Sequence, residues 1–176
     1  MSGREELIEK ILAADFSCKL CGACCSGADN EVMVTPDEVD VLSAASGLPF
    51  SEIAEPYPDW MEYPDGTKIT FGWVLRRGAD GNCMFLKENR CTVYASRPHI
   101  CRTYPFMLDC DELIISECPA VGCSKCLDAE ETADALLRRR DVEDVEFTQS
   151  EKQYQKHSIA SGSTVIIDSR GVHLWK

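Results

Sequence analysis

The chain is poor in histidine, with three in 176 residues, and poor in positive charge, with 18 Lys and Arg against 30 Asp and Glu. The resulting formal charge of −12 argues against nucleic acid as a partner. Nothing approaches the roughly 20 consecutive apolar residues of a membrane span. The opening MSGREELIEKILAADF mixes charge with apolar residues and has no signal-peptide core. No glycine loop for phosphate, no dinucleotide fingerprint and no Ser/His/Asp set is visible. Repeats, low-complexity tracts and linkers are also missing. A cytoplasmic single domain spanning residues 1–176 is the expectation, with no membrane partner.

What the chain has is cysteine, eleven of them. Cysteine density in a small chain means either a disulfide scaffold or metal binding. An odd count, a reducing compartment and the adjacent pair Cys24-Cys25 all favour metal. In FSCKLCGACCSG, residues 16–27, thiols recur as C-x2-C-x2-C-C. Two-residue spacing lets successive thiolates converge on one centre, and such a run in bacterial ferredoxins draws on a Cys followed by Pro. Cys118-Pro119 supplies one here, so Cys18, Cys21, Cys24 and Cys118 form a first candidate set. Adjacent side chains on an extended chain diverge, which turns Cys25 toward a second set with Cys83, Cys91 and Cys101. Cys110, Cys123 and Cys126 remain as possible further ligands. Cys123-x2-Cys126 could stand in for Cys118 or bind another metal. One or two [4Fe–4S] clusters are the expected cofactor, and zinc is the alternative.

Arg97 and Arg102 flank Cys101, where a cation would lower a thiol pKa and offset thiolate charge. Tyr104 could hydrogen-bond a sulfur. These three are candidates for tuning the centre from behind its ligands. Among the histidines only His99 lies near the cysteines in sequence, and a structural role suits it better than ligation given so many thiols.

The coarse pattern is α+β: a small, irregular, cysteine-rich, metal-centred domain with short hairpins and a helical C-terminal extension. Residues 4–15 carry a helical apolar stripe. Thr35, Pro36, Glu38 and Gly47 punctuate a second helix with a capping box and a glycine stop. After an Asp65-Gly66 hairpin-type turn the pattern changes to short strands, with β-branched and aromatic residues across 67–77 (TKITFGWVLRR). CMFL and CTVY read as paired strands, FMLDCDELIIS and STVIIDSRGVHLWK as hairpins, and residues 128–140 and 144–159 as two helices. The metal-chelating core is expected over residues 16–126 and the C-terminal helices and hairpin over 127–176.

FSCKLCGACC, VTPDEVDVLSAASG and CMFLKENRCTVYASRPHICRTYPF together resemble the CxxCxxCC zinc- or iron-chelating domain family, cysteine cluster proteins with a relative in flagellin lysine N-methylases. The resemblance covers residues 16–106, with Cys118 downstream. It implies Cys18, Cys21, Cys24, Cys25, Cys83, Cys91 and Cys101 as ligands and leaves the metal open. The expected functions are electron transfer or redox sensing through the cluster, a zinc-stabilised binding module, or a cluster-dependent methyltransferase-like enzyme. Metal should also help hold the fold, since ligation free energy becomes folding free energy.

Overall fold

The computed structural model describes residues 3–27, 31–109, 112–123 and 128–175. Helix α1 (Gly3–Ala13) leads into the cysteine knuckle, and a short strand β1 (Met33–Val34) follows it. Helix α2 (Pro36–Ser46) obeys its punctuation in full. Thr35 and Glu38 form a reciprocal capping box, and Gly47 closes the helix at φ 74°. The chain continues through α3 (Phe50–Ile53), β2 (Ala54–Pro56), β3 (Met61–Glu62), β4 (Lys68–Phe71) and β5 (Trp73–Leu75). Then come β6 (Leu86–Lys87), β7 (Arg90–Cys91), α4 (His99–Thr103) and the hairpin β8 (Phe106–Asp109)–β9 (Glu112–Ile115). Helix α5 (Ala129–Lys156) and the hairpin β10 (Thr164–Asp168)–β11 (Gly171–Leu174) end the described chain. The architecture is α+β, as the pattern of elements implies.

One expectation gains detail and one needs correction. The short strands of residues 67–77 are two, β4 and β5. Gly72, at φ 79°, bends the chain so that β4 and β5 enter different sheets, a conformation glycine adopts without steric cost. The region 128–159 holds one helix of 28 residues rather than two. No glycine or proline interrupts it, and Arg139 pairs with Glu143 one turn later at 2.6 Å, across the expected break.

Sheet topology explains how the ends of the chain frame the middle. The antiparallel sheet β1-β5-β2 lies at the centre of the sequence. The second sheet runs β11-β10-β4-β3, with β10 parallel to β4 and the other pairs antiparallel. Where the two meet, the buried Asp168 carboxylate accepts from Trp73 Nε1 at 2.7 Å and from the backbone N–H of Arg170 at 2.8 Å. A buried carboxylate is tolerable only when hydrogen-bonded in this way. Three hydrophobic clusters result. One gathers Val39, Leu42, Ile53, Trp73, Leu75, Phe85 and Ile166 under the cysteines. A second joins α1, α5 and β8 around Ile11, Phe106 and Leu136. The third is Ile69, Val165 and Ile167 on the second sheet. Among the described residues no helix is long and apolar enough to cross a membrane.

Candidate metal centre

The knuckle is held at both ends. At its entrance Phe16 packs edge-on against Phe106, with centroids 5.4 Å apart, and Ala14 accepts a hydrogen bond from the Gly122 N–H at 3.0 Å. At its exit the chain turns through a 3-10 segment, Ala23–Cys25, entered by Gly22 at φ 75°. Gly22 cannot be replaced freely, because a Cβ there would lie 2.8 Å from the Asn89 carbonyl oxygen. Asn89 and Glu88 make the β6–β7 turn with φ of 60° and 49°. The knuckle is therefore docked backbone to backbone on that turn.

Three further bonds join the knuckle to the loop before Cys83. The Cys83 N–H donates to the Cys25 carbonyl at 2.8 Å. The Gly27 N–H donates to Asn82 Oδ1 at 3.2 Å. Arg77 donates to the Gly27 carbonyl at 2.5 Å and to the Gly81 carbonyl at 2.8 Å. Cys91 ends β7, and Cys101 sits in α4. Cys83, Cys91 and Cys101 all pack against the first hydrophobic cluster. The N-terminus of α4 is fixed by Glu38. One carboxylate oxygen closes the α2 capping box on the Thr35 N–H at 2.8 Å, while the other takes the His99 N–H at 2.8 Å.

The Sγ atoms of Cys24 and Cys25 lie 3.9 Å apart. The divergence expected of neighbours does not occur, because the pair occupies a tight 3-10 turn and not an extended chain. Hydrogen bonding from Cys25 pulls the Cys24 thiol down to about 6 and the Cys83 thiol down to about 6. The same two bonds hold the proton on Cys25 far above the ordinary thiol range. A thiol has one proton to donate, so it serves one neighbour at a time. Burial pushes Cys101 up to about 12, reinforced by the charges of Cys83, Cys24 and Cys91. Burial raises Cys91 as well. These mutual effects put Cys24, Cys25, Cys83, Cys91 and Cys101 in one neighbourhood, with Cys24 alongside the second set.

The remaining thiols are peripheral. Cys18, Cys21 and Cys123 are exposed and Cys118 is half-buried. The Cys123 thiol donates to the Pro119 carbonyl at 3.3 Å. Cys110 and Cys126 lie outside the described residues. Tyr104 stands between the two groups. Burial raises its pKa, and the charges of Cys118, Cys24, Glu117 and Cys21 add to that. Its hydroxyl donates to the Glu117 carbonyl and not to a sulfur. Arg97 stacks 3.5 Å over the Tyr94 ring, and its charge favours the thiolates of Cys24, Cys91 and Cys101. Arg102 donates to the carbonyls of Arg97 at 2.7 Å and Ala95 at 2.8 Å, bracing the turn that carries Arg97. His99 contributes its backbone N–H.

Sequence reasoning missed Arg77, Asn82 and the second bond of Glu38. The capping box gave Glu38 away locally. Nothing in the sequence near Arg77 signals that it reaches Gly27, 50 positions upstream.

Soft thiolates gathered on one locus are the donor set of zinc and of iron–sulfur clusters. Thiolates 2.3 Å from a zinc ion at tetrahedral corners stand about 3.8 Å apart, close to the Cys24–Cys25 separation. Among the described residues no three His, Cys, Asp or Glu side chains close on one ion's coordination sphere. The donors are thus assembled in one region but not drawn into a shell.

This arrangement defines a cysteine-ligated metal-binding domain. A family model described as "CxxCxxCC: Putative zinc- or iron-chelating domain" matches residues 17–120, and the chain belongs to that family. No solved structure matches the chain.

Proposed function

We propose that the protein holds [4Fe–4S] clusters and passes or senses electrons through them, in the cytoplasm and with a protein partner. One observation carries this: the C-x2-C-x2-C run begins at the surface, while Cys24 and the complement Cys118-Pro119 bring half-buried thiols to it. Cys18 and Cys21 are exposed, and Tyr104 feels the charges of Cys21, Cys24 and Cys118 together. A cluster held there would stand near the surface, where a partner could exchange electrons with it. The net charge of −12 favours a partner with a basic face over nucleic acid or an anionic membrane.

Zinc is the second reading, favoured by the 3.9 Å approach of Cys24 and Cys25, which suits two corners of a zinc tetrahedron. Anaerobic purification followed by iron, acid-labile sulfide and zinc analysis, with electron paramagnetic resonance after reduction, decides between them. Iron and sulfide in equal amounts with a reducible signal is the expected result. Colourless protein with stoichiometric zinc overturns the cluster reading.

A further inference from the structure

The two groups of thiols differ in how they are held. Cys83, Cys91 and Cys101 are built into the first hydrophobic cluster. Cys25 is fixed to Cys83 through the bond from the Cys83 N–H to the Cys25 carbonyl. Arg77 and Asn82 lock the next turn, at Gly27, onto the same loop. Displacing this inner group disturbs the packing at the edge of that cluster. Cys18 and Cys21 instead ride on residues 17–21, which carry no regular secondary structure and arch between the Phe16–Phe106 contact and the docked Gly22. Both of these thiols are exposed. Local opening of an exposed arch costs far less than opening a packed core, and exposed thiolates are the ones that undergo ligand exchange.

We infer that the protein carries two metal centres of unlike permanence: an inner one on Cys25, Cys83, Cys91 and Cys101 that keeps its metal, and an outer one on Cys18, Cys21 and Cys118 that accepts and releases a thiophilic metal ion. The outer centre is the port of exchange. Cys24 lies beside the inner one, 3.9 Å from Cys25. The inference rests on metal binding by these thiols and is indifferent to which metal the protein holds as purified.

The test uses zinc(II) alone as probe. The full chain, stripped of metal and kept reduced, is reloaded with zinc and mixed with excess chromophoric chelator, and release is followed by absorbance. Two phases are expected, the fast one at least about tenfold faster than the slow one because the outer arch opens locally. The double variant Cys18→Ser, Cys21→Ser should lose the fast phase and retain the slow phase, and its metal-free urea midpoint should match that of the metal-free parent. Alkylation of the loaded wild-type protein, read cysteine by cysteine by mass spectrometry, should label Cys18 and Cys21 well before Cys83 and Cys101. A single release phase, loss of the slow phase in the double variant, or labelling of Cys83 as fast as Cys18 would overturn the inference. Iron and sulfide analysis of the purified protein bears on the cluster reading alone, so the two can fail separately.

Discussion

Gly22→Ala is the sharpest probe of how the cysteine knuckle is held. The residue sits at φ 75°, a left-handed conformation that costs an L side chain about 1–2 kcal/mol. The added Cβ would also meet the Asn89 carbonyl oxygen at 2.8 Å, the Asn89 carbonyl carbon at 3.2 Å and Leu86 Cδ1 at 3.1 Å. The leucine methyl can give way, but the Asn89 backbone is fixed in a two-residue turn. Forcing it aside should cost about 1–3 kcal/mol, as overpacking does elsewhere. The combined loss is about 2–5 kcal/mol, a large part of an ordinary domain's stability. Gly27→Ala is the matched control. Its φ of 83° carries the same backbone penalty, yet among the described residues nothing lies within 4 Å of its Cβ position. It should therefore lose about 1–2 kcal/mol. Urea denaturation of both variants, metal-free and zinc-loaded, gives the comparison. Equal losses for the two alanines would refute the docking of the knuckle on the β6–β7 turn.

Two other perturbations test the surroundings. Glu38→Ala removes the α2 capping box and the acceptor for the His99 N–H, and should cost about 2–3 kcal/mol where Thr35→Ala costs about 1. Denaturant midpoints that coincide for these two variants would show that α4 does not depend on Glu38. The pH dependence of the metal-free protein follows from its thiols. The Cys25 proton lowers Cys24 or Cys83 from an ordinary 9.0 toward about 6, one of them at a time, so over that range the unfolded chain binds more protons and stability rises with pH by one thiol's contribution. Cys101, pushed up to about 12, holds its proton longer when folded, so stability falls as pH rises from 9 toward 12. Urea midpoints across this range, compared with those of Cys24→Ser, Cys83→Ser, should show the rise below pH 9 in the parent alone; a parent curve flat from 6 to 9 would contradict the proton sharing around Cys25.

Where the determinants are local, the sequence is a good guide to the fold. Thr35, Pro36, Glu38 and Gly47 delimit α2 without help from the rest of the chain, and the β8–β9 hairpin pairs two segments close in sequence. The errors come where local rules compete. The pattern shows short strands on both sides of Gly72 but not that they enter different sheets, which happens because β10 pairs with β4, 96 positions on in register at Lys68 and Thr164. No sequence window contains both partners. Residues 140–144 look like a gap between two helical patterns, but a gap in apolar periodicity is not a helix breaker, and α5 continues through it. The family's residues were legible as cysteines from their spacing. What their spacing did not show is that a 3-10 turn at Ala23–Cys25 keeps Cys24 beside Cys25.

The distribution of the cores limits what metal ligation can govern. Of the three hydrophobic clusters, the one built from β1, β2, β5 and α2 carries Cys83, Cys91 and Cys101 at its edge. The clusters joining α1 to α5 and lining the second sheet contain no described cysteine. Free energy of ligation enters folding through the contacts that ligands share with the rest of the chain. Here those contacts run through one cluster, the Cys25–Cys83 backbone bond and the Glu38 link between α2 and α4. Helix α5 reaches the site indirectly, through its packing on α4 and the bond from Arg139 to Thr103 Oγ1 at 3.3 Å. The fold thus divides its labour: α1, α5 and the second sheet supply a frame without thiols, and the frame holds α4 and the central sheet in the positions that bring inner cysteines to the knuckle. An outer arch that can open without disturbing that frame is what the proposed pairing of a retained centre with an exchanging one requires.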